Sequence, residues 1–225
     1  MNKSEYYKLK GIQNYQKKKY DTSLLNYKKY LKYEPKDFEA LFNVARIYSL
    51  TKKYELGLDY YNKCLLLLPK NKNVLINISN IYINLKEYDK AIESLKEIKV
   101  DEQNDQTVNY NFGVCLEKKL NFEEAIHYYK IVLKLNDKSI EALSNCGNCL
   151  SHLGKHLEAV NFYNKALLLN KDNLAVLLNL GSAYTDLENY DKALEIYNKI
   201  LEVNPKFALA LNNKGNVLTS LKKFK

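Results

Sequence analysis

The feature that most constrains this sequence is a unit of 34 residues that repeats without insertion along almost the whole chain. Its clearest copy runs from Leu174 to Phe207. We call positions related by shifts of 34 residues a slot. One slot holds only small residues: Gly11, Ala45, Ser79, Gly113, Gly147, Gly181 and Gly215. Another holds Tyr27, Tyr61, Leu95, Tyr129, Tyr163 and Tyr197. Such a period predicts an array of stacked repeats in which each unit buries its faces against its neighbours.

The apolar pattern inside one unit predicts two helices. Apolar residues recur at steps of three and four over 177–187 and again over 193–201, which is the spacing of one helix face. Turn-forming residues at 188–189 separate the two stretches. Gly181 and Ala193 are small, so the two helices are predicted to pack closely in antiparallel contact, with tyrosines filling the space around them.

A helix-turn-helix repeat of this length, with its small-residue and tyrosine slots, resembles the tetratricopeptide repeat family. All three prolines, Pro35, Pro69 and Pro205, also share one slot. The resemblance covers nearly the whole chain and implies an all-α fold, a right-handed superhelical solenoid of helix-turn-helix repeats. We expect a single domain over 1–225, composed of repeats 4–37, 38–71, 72–105, 106–139, 140–173 and 174–207 and a terminal helix over 208–223. Gln103, Asp137 and Lys171 depart from the pattern where proline would stand.

A polar slot on the predicted first helices is the strongest functional signal. It holds six asparagines in succession, which we call the asparagine ladder: Asn43, Asn77, Asn111, Asn145, Asn179 and Asn213. Only Leu9, in the first repeat, breaks the series. The sequence places the ladder off the packing stripe of the first helix. The family resemblance implies that it faces the concave groove that first helices line.

The chemistry of a primary amide suggests what the ladder binds. Each amide offers an acceptor oxygen and two N–H donors, which match the N–H and C=O of an extended peptide. With first helices about 10 Å apart and about 3.3 Å of extended chain per residue, one amide meets roughly every third ligand residue. Arg46, Asn80 and Asn148 lie in a neighbouring slot one helical turn away. We therefore predict that these three residues and the ladder form a peptide-binding site.

The resemblance extends to particular members of the family. Similar asparagine ladders line the repeat arm of O-linked N-acetylglucosamine transferases and some cargo-binding scaffolds, where they hold peptide backbone. The sequence is accordingly interpreted as a non-catalytic protein–protein interaction scaffold with a protein or peptide partner. The competing interpretation of the ladder is inheritance of a family consensus without a binding role.

Two other functions stay open at the level of sequence. The chain stops inside a seventh repeat, which favours a fragment of a longer protein. It would then be the substrate-recruiting arm of a larger, glycosyltransferase-like enzyme that continues beyond Lys225. Alternatively, the repeats form an assembly scaffold that uses its basic ends or its convex face. Sequence beyond Lys225 would distinguish the first of these from a free-standing scaffold.

A chaperone-tail clamp, another use of this family, is disfavoured. Such clamps hold a C-terminal carboxylate with lysine, asparagine and arginine side chains from three successive first helices. The corresponding residues here are Lys8, Ile12, Asn43, Asn73 and Asn77, of which two match. Neutral amides cannot replace the charge-assisted hydrogen bonds that a carboxylate needs.

The charge distribution argues against nucleic acid as a partner. The net charge is +9, but residues 1–37 carry +6 and residues 208–225 carry +4, while the five repeats between them sum to −1. A nucleic-acid groove requires basic residues that recur along one face, and the repeat pattern contains none. The excess charge is instead a candidate docking surface for an acidic partner.

The sequence predicts neither a catalytic or metal-binding site nor a membrane-spanning segment. Cys146 and Cys149 occupy packing slots, and His152 and His156 are separated by Gly154 in a predicted turn, so we predict no metal site, cofactor or catalytic residue. The longest apolar run, 64–68, is too short to span a bilayer, and the first residues lack a signal-peptide core. We expect a cytoplasmic or nuclear protein that does not contact membranes, with cysteines suited to a reducing compartment.

Overall fold

A computed structural model describes residues 2–98 and 104–223, and within these two ranges the chain forms thirteen α-helices and no β-strand. The helices are α1 Lys3–Gln16, α2 Tyr20–Tyr30, α3 Phe38–Leu50, α4 Tyr54–Leu67, α5 Lys72–Asn84, α6 Tyr88–Lys96, α7 Gln106–Lys118, α8 Phe122–Leu135, α9 Ile140–His152, α10 His156–Leu169, α11 Leu174–Asp186, α12 Tyr190–Val203 and α13 Ala208–Lys223. The predicted all-α fold is confirmed.

The chain divides into two compact units, Met1–Asn104 with α1 to α6 and Asp105–Lys225 with α7 to α13. Within each unit, the odd-numbered helices from α1 to α11 each pack against the helix that follows, as α7 does on α8. Second helices pack against the next first helix of the same unit, as α8 does on α9. Each unit is therefore a stack of helix-turn-helix repeats, the solenoid arrangement that the period predicted. Gln103 lies outside the described residues.

The first helix of each pair begins at a residue that caps it. Asp37 shows the geometry, since its Oδ1 accepts the N–H of Ala40 at 2.8 Å. The same arrangement starts six first helices, with the N-cap residues Asn2, Asp37, Asn71, Asp105, Ser139 and Asn173. Short side-chain acceptors satisfy backbone donors that a helix leaves unpaired in its first turn. The last five share a slot, so the period also sets where first helices begin.

The turn inside each repeat depends on one residue in the left-handed region. These residues are Lys18, Lys52, Lys86, Leu120, Gly154 and Glu188, with φ between 56° and 72°. The N–H of the next residue then bonds a carbonyl five residues earlier, as Asn189 does to Tyr184 at 2.9 Å. This pattern is a Schellman-type helix end. Only Gly154 has the residue type that adopts this φ without strain.

The small-residue slot is explained by a tyrosine ring. Tyr27, Tyr61, Tyr129, Tyr163 and Tyr197 are at most 1% exposed. A Cβ atom added at Gly181 would lie 2.6 Å from the Cε1 atom of Tyr197, and one added at Gly113 would lie 2.6 Å from the Cε1 atom of Tyr129. The tyrosine ring, rather than the Ala193 methyl, is the nearest neighbour of Gly181. The two slots named first in the sequence thus form a single packing contact.

Candidate functional site

In the unit 105–225, the ladder residues lie on the first helices, Asn111 on α7, Asn145 on α9, Asn179 on α11 and Asn213 on α13. Asn145, Asn179 and Asn213 are half-buried. Asn111 is only 5% exposed and differs in this respect from the open groove residue that the ladder pattern predicted. The accessible amides of this unit are therefore those of α9, α11 and α13.

Asn145 is bonded to two tyrosine hydroxyls. Its Nδ2 donates to the hydroxyl of Tyr129 at 3.2 Å and to that of Tyr110 at 3.4 Å. The Tyr129 hydroxyl in turn donates to Oε2 of Glu117 at 2.8 Å. Burial and the neighbouring Glu117 carboxylate raise the pKa of Tyr129 far above its usual value, so the hydroxyl keeps its proton. Asn145 thus uses its donors inside the protein and retains its carbonyl oxygen.

A second cluster joins α9, α10 and α11 through Asn148. Oδ1 of Asn148 accepts from Nδ2 of Asn179 at 2.8 Å and from the hydroxyl of Tyr163 at 2.9 Å. The Tyr163 hydroxyl also lies 3.5 Å from Oγ of Ser151. Burial raises the pKa of Tyr163 to about 12, which leaves it a neutral donor. The ladder residue Asn179 and its neighbouring-slot residue Asn148 are therefore directly bonded.

The third cluster surrounds Tyr197 on α12. Its hydroxyl lies 3.3 Å from Oγ1 of Thr185, which itself donates to the Gly181 carbonyl at 2.9 Å. Burial raises the pKa of Tyr197, and hydrogen bonds with Thr185 and Asn213 partly oppose the rise. Ladder amides in this unit thus lie beside the hydroxyl ends of buried tyrosines, a role that the sequence interpretation did not include.

The tyrosine partners share a slot that the sequence analysis missed. Glu117, Ser151 and Thr185 are each 34 residues apart and stand twelve residues before Tyr129, Tyr163 and Tyr197. A polar residue that recurs twelve positions before each of these tyrosines would have indicated a hydrogen-bond partner for the buried hydroxyl. Buried hydroxyl groups are almost always hydrogen-bonded, which makes such a repeat informative.

The Asn148 cluster, together with Glu117 of the first cluster, lines a polar cavity of about 410 Å³ in the unit 105–225. It is lined by Glu117, Asn148, Ser151, His152, Tyr163, Asn179, Ser182 and Asp186. The lining contains two carboxylates and no lysine or arginine among the described residues. Nδ1 of His156 lies 3.5 Å from Oδ2 of Asp186. The cavity has the size of a ligand site and presents mainly amide, hydroxyl and carboxylate groups.

In the unit 1–104, the ladder residues are Asn43 on α3 and Asn77 on α5, both half-buried. Nδ2 of Asn77 donates to the Asn73 carbonyl of its own helix at 2.7 Å. The half-buried Arg46 lies on α3, with its guanidinium carbon 5.2 Å from the centre of the Tyr15 ring. Asn80 on α5 is half-buried as well.

The cysteines and histidines are built into the packing. Cys146 and Cys149 are fully buried, and burial raises the pKa of each thiol to about 12. His152 stacks on Phe122 with ring centres 4.7 Å apart. No set of three or more His, Cys, Asp or Glu side chains suited to a metal ion occurs in the described part of the chain. None of the helices described is both long and apolar enough to cross a membrane.

Two family models match parts of the chain. Residues 139–206 match the tetratricopeptide repeat model, and residues 16–98 match the model of the anaphase-promoting complex, cyclosome, subunit 3. No curated protein sequence matches the chain.

Solved structures with the same architecture cover most of the chain. YrrB, described as a TPR protein with an unusual peptide-binding site, is 24% identical over 84% of this chain and 97% of its own, with a TM-score of 0.71. PilF of Pseudomonas aeruginosa is 19% identical over 95% of this chain and 97% of its own, with a TM-score of 0.79. A chain of the APC/C hetero-tetramer Cut9-Hcn1 is 17% identical over 96% of this chain and 43% of its own, with a TM-score of 0.75. At these identities the likeness concerns the fold. Together, the two family models and these structures support the tetratricopeptide repeat family for this chain.

Proposed function

We propose that the chain is a non-catalytic protein–protein interaction scaffold whose first-helix amides bind the main chain of an extended polypeptide segment. Tetratricopeptide repeat proteins in general mediate protein–protein interaction and scaffolding. The binding residues proposed here are the asparagine ladder with Asn148, Asn80 and Arg46. The part of the ladder in 105–225 supports the proposal most directly.

The observation that carries the proposal is the hydrogen-bonding capacity that remains at Asn148 and Asn179. Oδ1 of Asn148 already accepts two hydrogen bonds, and Nδ2 of Asn179 donates one of them. Within the described residues, the Asn148 amino group and the Asn179 carbonyl oxygen have no partner. Both residues line the 410 Å³ cavity. A donor and an acceptor side by side match the C=O and N–H of a peptide backbone.

The tyrosine bonds explain how the amides would be held in a fixed orientation. Tyr163 fixes the Asn148 carbonyl, and Tyr129 fixes the Asn145 amino group. An amide that is fixed before binding loses less side-chain entropy when the ligand arrives. The same bonds also support a purely structural role, so binding and stability have to be measured separately.

Selection from a library of random peptides of about 18 residues, long enough to reach several first helices at about one amide per three ligand residues, tests the proposal. Wild-type protein is expected to enrich a set of peptides, and the double variant Asn148→Ala with Asn179→Ala to lose them. Asn161→Ala with Asn164→Ala is the matched control, because both asparagines are exposed on the second helix α10. Circular dichroism would establish that all three proteins are folded.

The outcome that contradicts the proposal is equally specific. If the enriched peptides bind the Asn148 and Asn179 variant as tightly as wild type, the groove amides are structural and the ligand lies elsewhere. The basic ends would then be the next surfaces to vary, beginning with the lysines of residues 1–37.

A further inference from the structure

Arg46 is the only arginine of the chain and lies on α3 in the unit 1–104. Its guanidinium carbon is 5.2 Å from the centre of the Tyr15 ring and 5.9 Å from that of Phe42. Among the residues described, no carboxylate lies within ion-pairing distance of it. The guanidinium thus lies within about 6 Å of two aromatic ring centres and has no anionic partner in the described residues.

Lys8, the nearby first-helix cation on α1, shows what a paired cation in this unit looks like. Its Nζ lies 2.9 Å from Oδ2 of Asp37 and 3.0 Å from Oε2 of Glu39. Its charge is neutralised inside the protein. Arg46 has no such neutralisation, so its N–H groups stay available for an outside acceptor.

A second donor without an acceptor lies beside the same Phe42 ring. The ring of Tyr61 is 5.6 Å from that of Phe42, and Tyr61 is fully buried. Its hydroxyl has no hydrogen-bond partner within the described residues, and the hydroxyl of Ser49 donates to the Ala45 carbonyl at 2.9 Å. Burial raises the pKa of Tyr61, and the Ser49 hydroxyl and the positive charge of Arg46 partly oppose that rise. The Arg46 guanidinium and the Tyr61 hydroxyl are thus two donors beside Phe42 that have no bonded acceptor within the described residues.

The geometry and charge favour a carboxylate as the missing acceptor. A guanidinium offers a planar fork of N–H donors that matches the two oxygens of a carboxylate, and flanking rings hold that fork in place. Residues 1–104 carry a net charge of +7, compared with +2 for residues 105–225. A basic unit attracts acidic segments and disfavours basic ones.

We propose that Arg46 binds the side-chain carboxylate of an aspartate or glutamate in the extended segment that the scaffold holds. The inference rests on the proposed function, since it assigns a residue preference to the same ligand. Arg46 and Asn148 occupy the same slot in different repeats, and only Arg46 is charged. The residue in this slot would therefore set which ligand side chain each repeat prefers.

The test uses the peptide library displayed with each C-terminus joined to its carrier, so that side chains supply the only carboxylates at that end. Wild type is expected to enrich aspartate or glutamate at one position. Arg46→Gln is expected to lose that enrichment, and Arg46→Lys to keep only part of it, because lysine has the charge without the fork. Lys52→Gln is the matched control, since Lys52 is an exposed cation in the turn after α3.

The affinity of a synthetic peptide from the selection would then be compared with that of an analogue in which the acidic residue is replaced by its amide. The analogue should bind wild type on the order of tenfold more weakly and bind Arg46→Gln as well as the acidic peptide does. The acidic peptide should also lose affinity as salt is raised.

Two results would overturn the inference. Peptides that depend on Asn43, which lies on the same helix as Arg46, but show no acidic preference would remove the role of Arg46 and leave the proposed function intact. A library that yields no binder, or binders insensitive to every ladder asparagine, would remove both. If Arg46→Gln proved unfolded, Arg46→Lys would be compared with wild type instead. Undiminished affinity of Arg46→Lys for the acidic peptide would contradict the bidentate contact.

Discussion

The two units place the same repeat residues in different hydrogen-bond environments. In 105–225, the buried hydroxyl of Tyr129 donates to Glu117 and accepts from Asn145. In the described part of 1–104, the equivalent hydroxyl of Tyr61 has no partner, and Asn77, the equivalent of Asn145, donates to its own helix. A slot therefore fixes the residue type and the packing but not the partner of its polar atoms.

The polar residue twelve positions before the tyrosine contributes to this difference. Glu117 reaches the Tyr129 hydroxyl, whereas the hydroxyl of Ser49 donates to a backbone carbonyl of its own helix. A long acidic side chain accepts a hydrogen bond from the tyrosine hydroxyl, whose oxygen can then accept one from the ladder amide. The local neighbour, rather than the repeat, determines whether a ladder amide is held in place.

The largest effect is expected for a glycine that packs directly on a tyrosine ring, compared with a glycine of the other unit that does not. Gly113→Ala would place a Cβ atom 2.6 Å from the Tyr129 ring, and we expect it to lower the free energy of unfolding by about 2 to 3 kcal/mol. Gly57→Ala in the other unit meets Ser49 Oγ at 3.1 Å and Ile81 Cδ1 at 3.2 Å, and should change it by less than about 1 kcal/mol. Chemical denaturation measures both, and equal losses would contradict the ring contact.

The hydroxyl groups provide the sharpest comparison between the units. Tyr129→Phe removes the hydroxyl that donates to Oε2 of Glu117 and one of the two hydroxyls that accept from Asn145, so it should lower the free energy of unfolding by about 2 kcal/mol. Tyr61→Phe removes a hydroxyl that has no partner among the described residues, so the change should stay within about 0.5 kcal/mol. Thermal or urea unfolding of the two variants decides the point. A loss for Tyr61→Phe as large as that for Tyr129→Phe would show that the units do not differ in this way.

The helix caps predict a difference in pH dependence. Burial alone would raise the pKa of Asp37, but hydrogen bonds from Tyr30, the Ala40 N–H and Lys8 outweigh it, and the pKa is lowered. A folded-state pKa below the unfolded value adds stability above the unfolded pKa, and this stability is lost as pH falls through the folded pKa. The free energy of unfolding of wild type should therefore exceed that of Asp37→Asn by about 1 kcal/mol at neutral pH. This difference should shrink as pH falls below about 4.

The control for this prediction comes from the other unit. Ser139 caps α9 with a hydroxyl that does not titrate in this range. The destabilisation caused by Ser139→Ala should therefore be the same at pH 7 and at about pH 3, when each variant is compared with wild type at the same pH. A gap for Asp37→Asn that does not change with pH would contradict the lowered pKa.

The smallest effect is expected in the turns, where the two units should behave alike. Leu120 and Lys52 both adopt the left-handed region, at φ of 62° and 59°. Replacement by glycine relieves backbone strain but adds conformational freedom to the unfolded chain. Each glycine variant should therefore have a free energy of unfolding about 0.5 kcal/mol higher than wild type. Gly154→Ala should lose about 1 kcal/mol, because alanine is strained at φ 72°. Denaturation curves precise to a few tenths of a kcal/mol are needed.

Much of the fold could be predicted from the sequence because one period carries the packing. The small-residue and tyrosine slots mark the contact between paired helices, and Gly181 and Tyr197 do meet as a close pair. The helix ends depend on equally local chemistry, although the capping slot of Asp37 and Ser139 went unnoticed. Its residues differ in type while sharing one hydrogen-bonding function.

The candidate site was harder to predict because its geometry depends on side-chain orientation across repeats. The sequence indicates that Asn148 and Asn179 lie on first helices, but not that they bond each other. Nor does the period show that Asn111 is 5% exposed while Asn179 is half-buried. A binding role for the ladder stays a prediction, since a repeated amide serves equally as a partner for buried tyrosines.

The most direct measurement is a backbone scan of a peptide selected by the wild-type protein. Each peptide N–H would be replaced in turn by an N-methyl group, which removes the donor, and compared with replacement of the same side chain by alanine. If groove amides such as that of Asn179 accept ligand N–H groups, affinity should fall at about every third N-methyl position. The same losses should be absent in the variant Asn148→Ala with Asn179→Ala at the positions that these residues contact. Affinity that depends only on side chains, with no such periodic loss, would contradict the central claim.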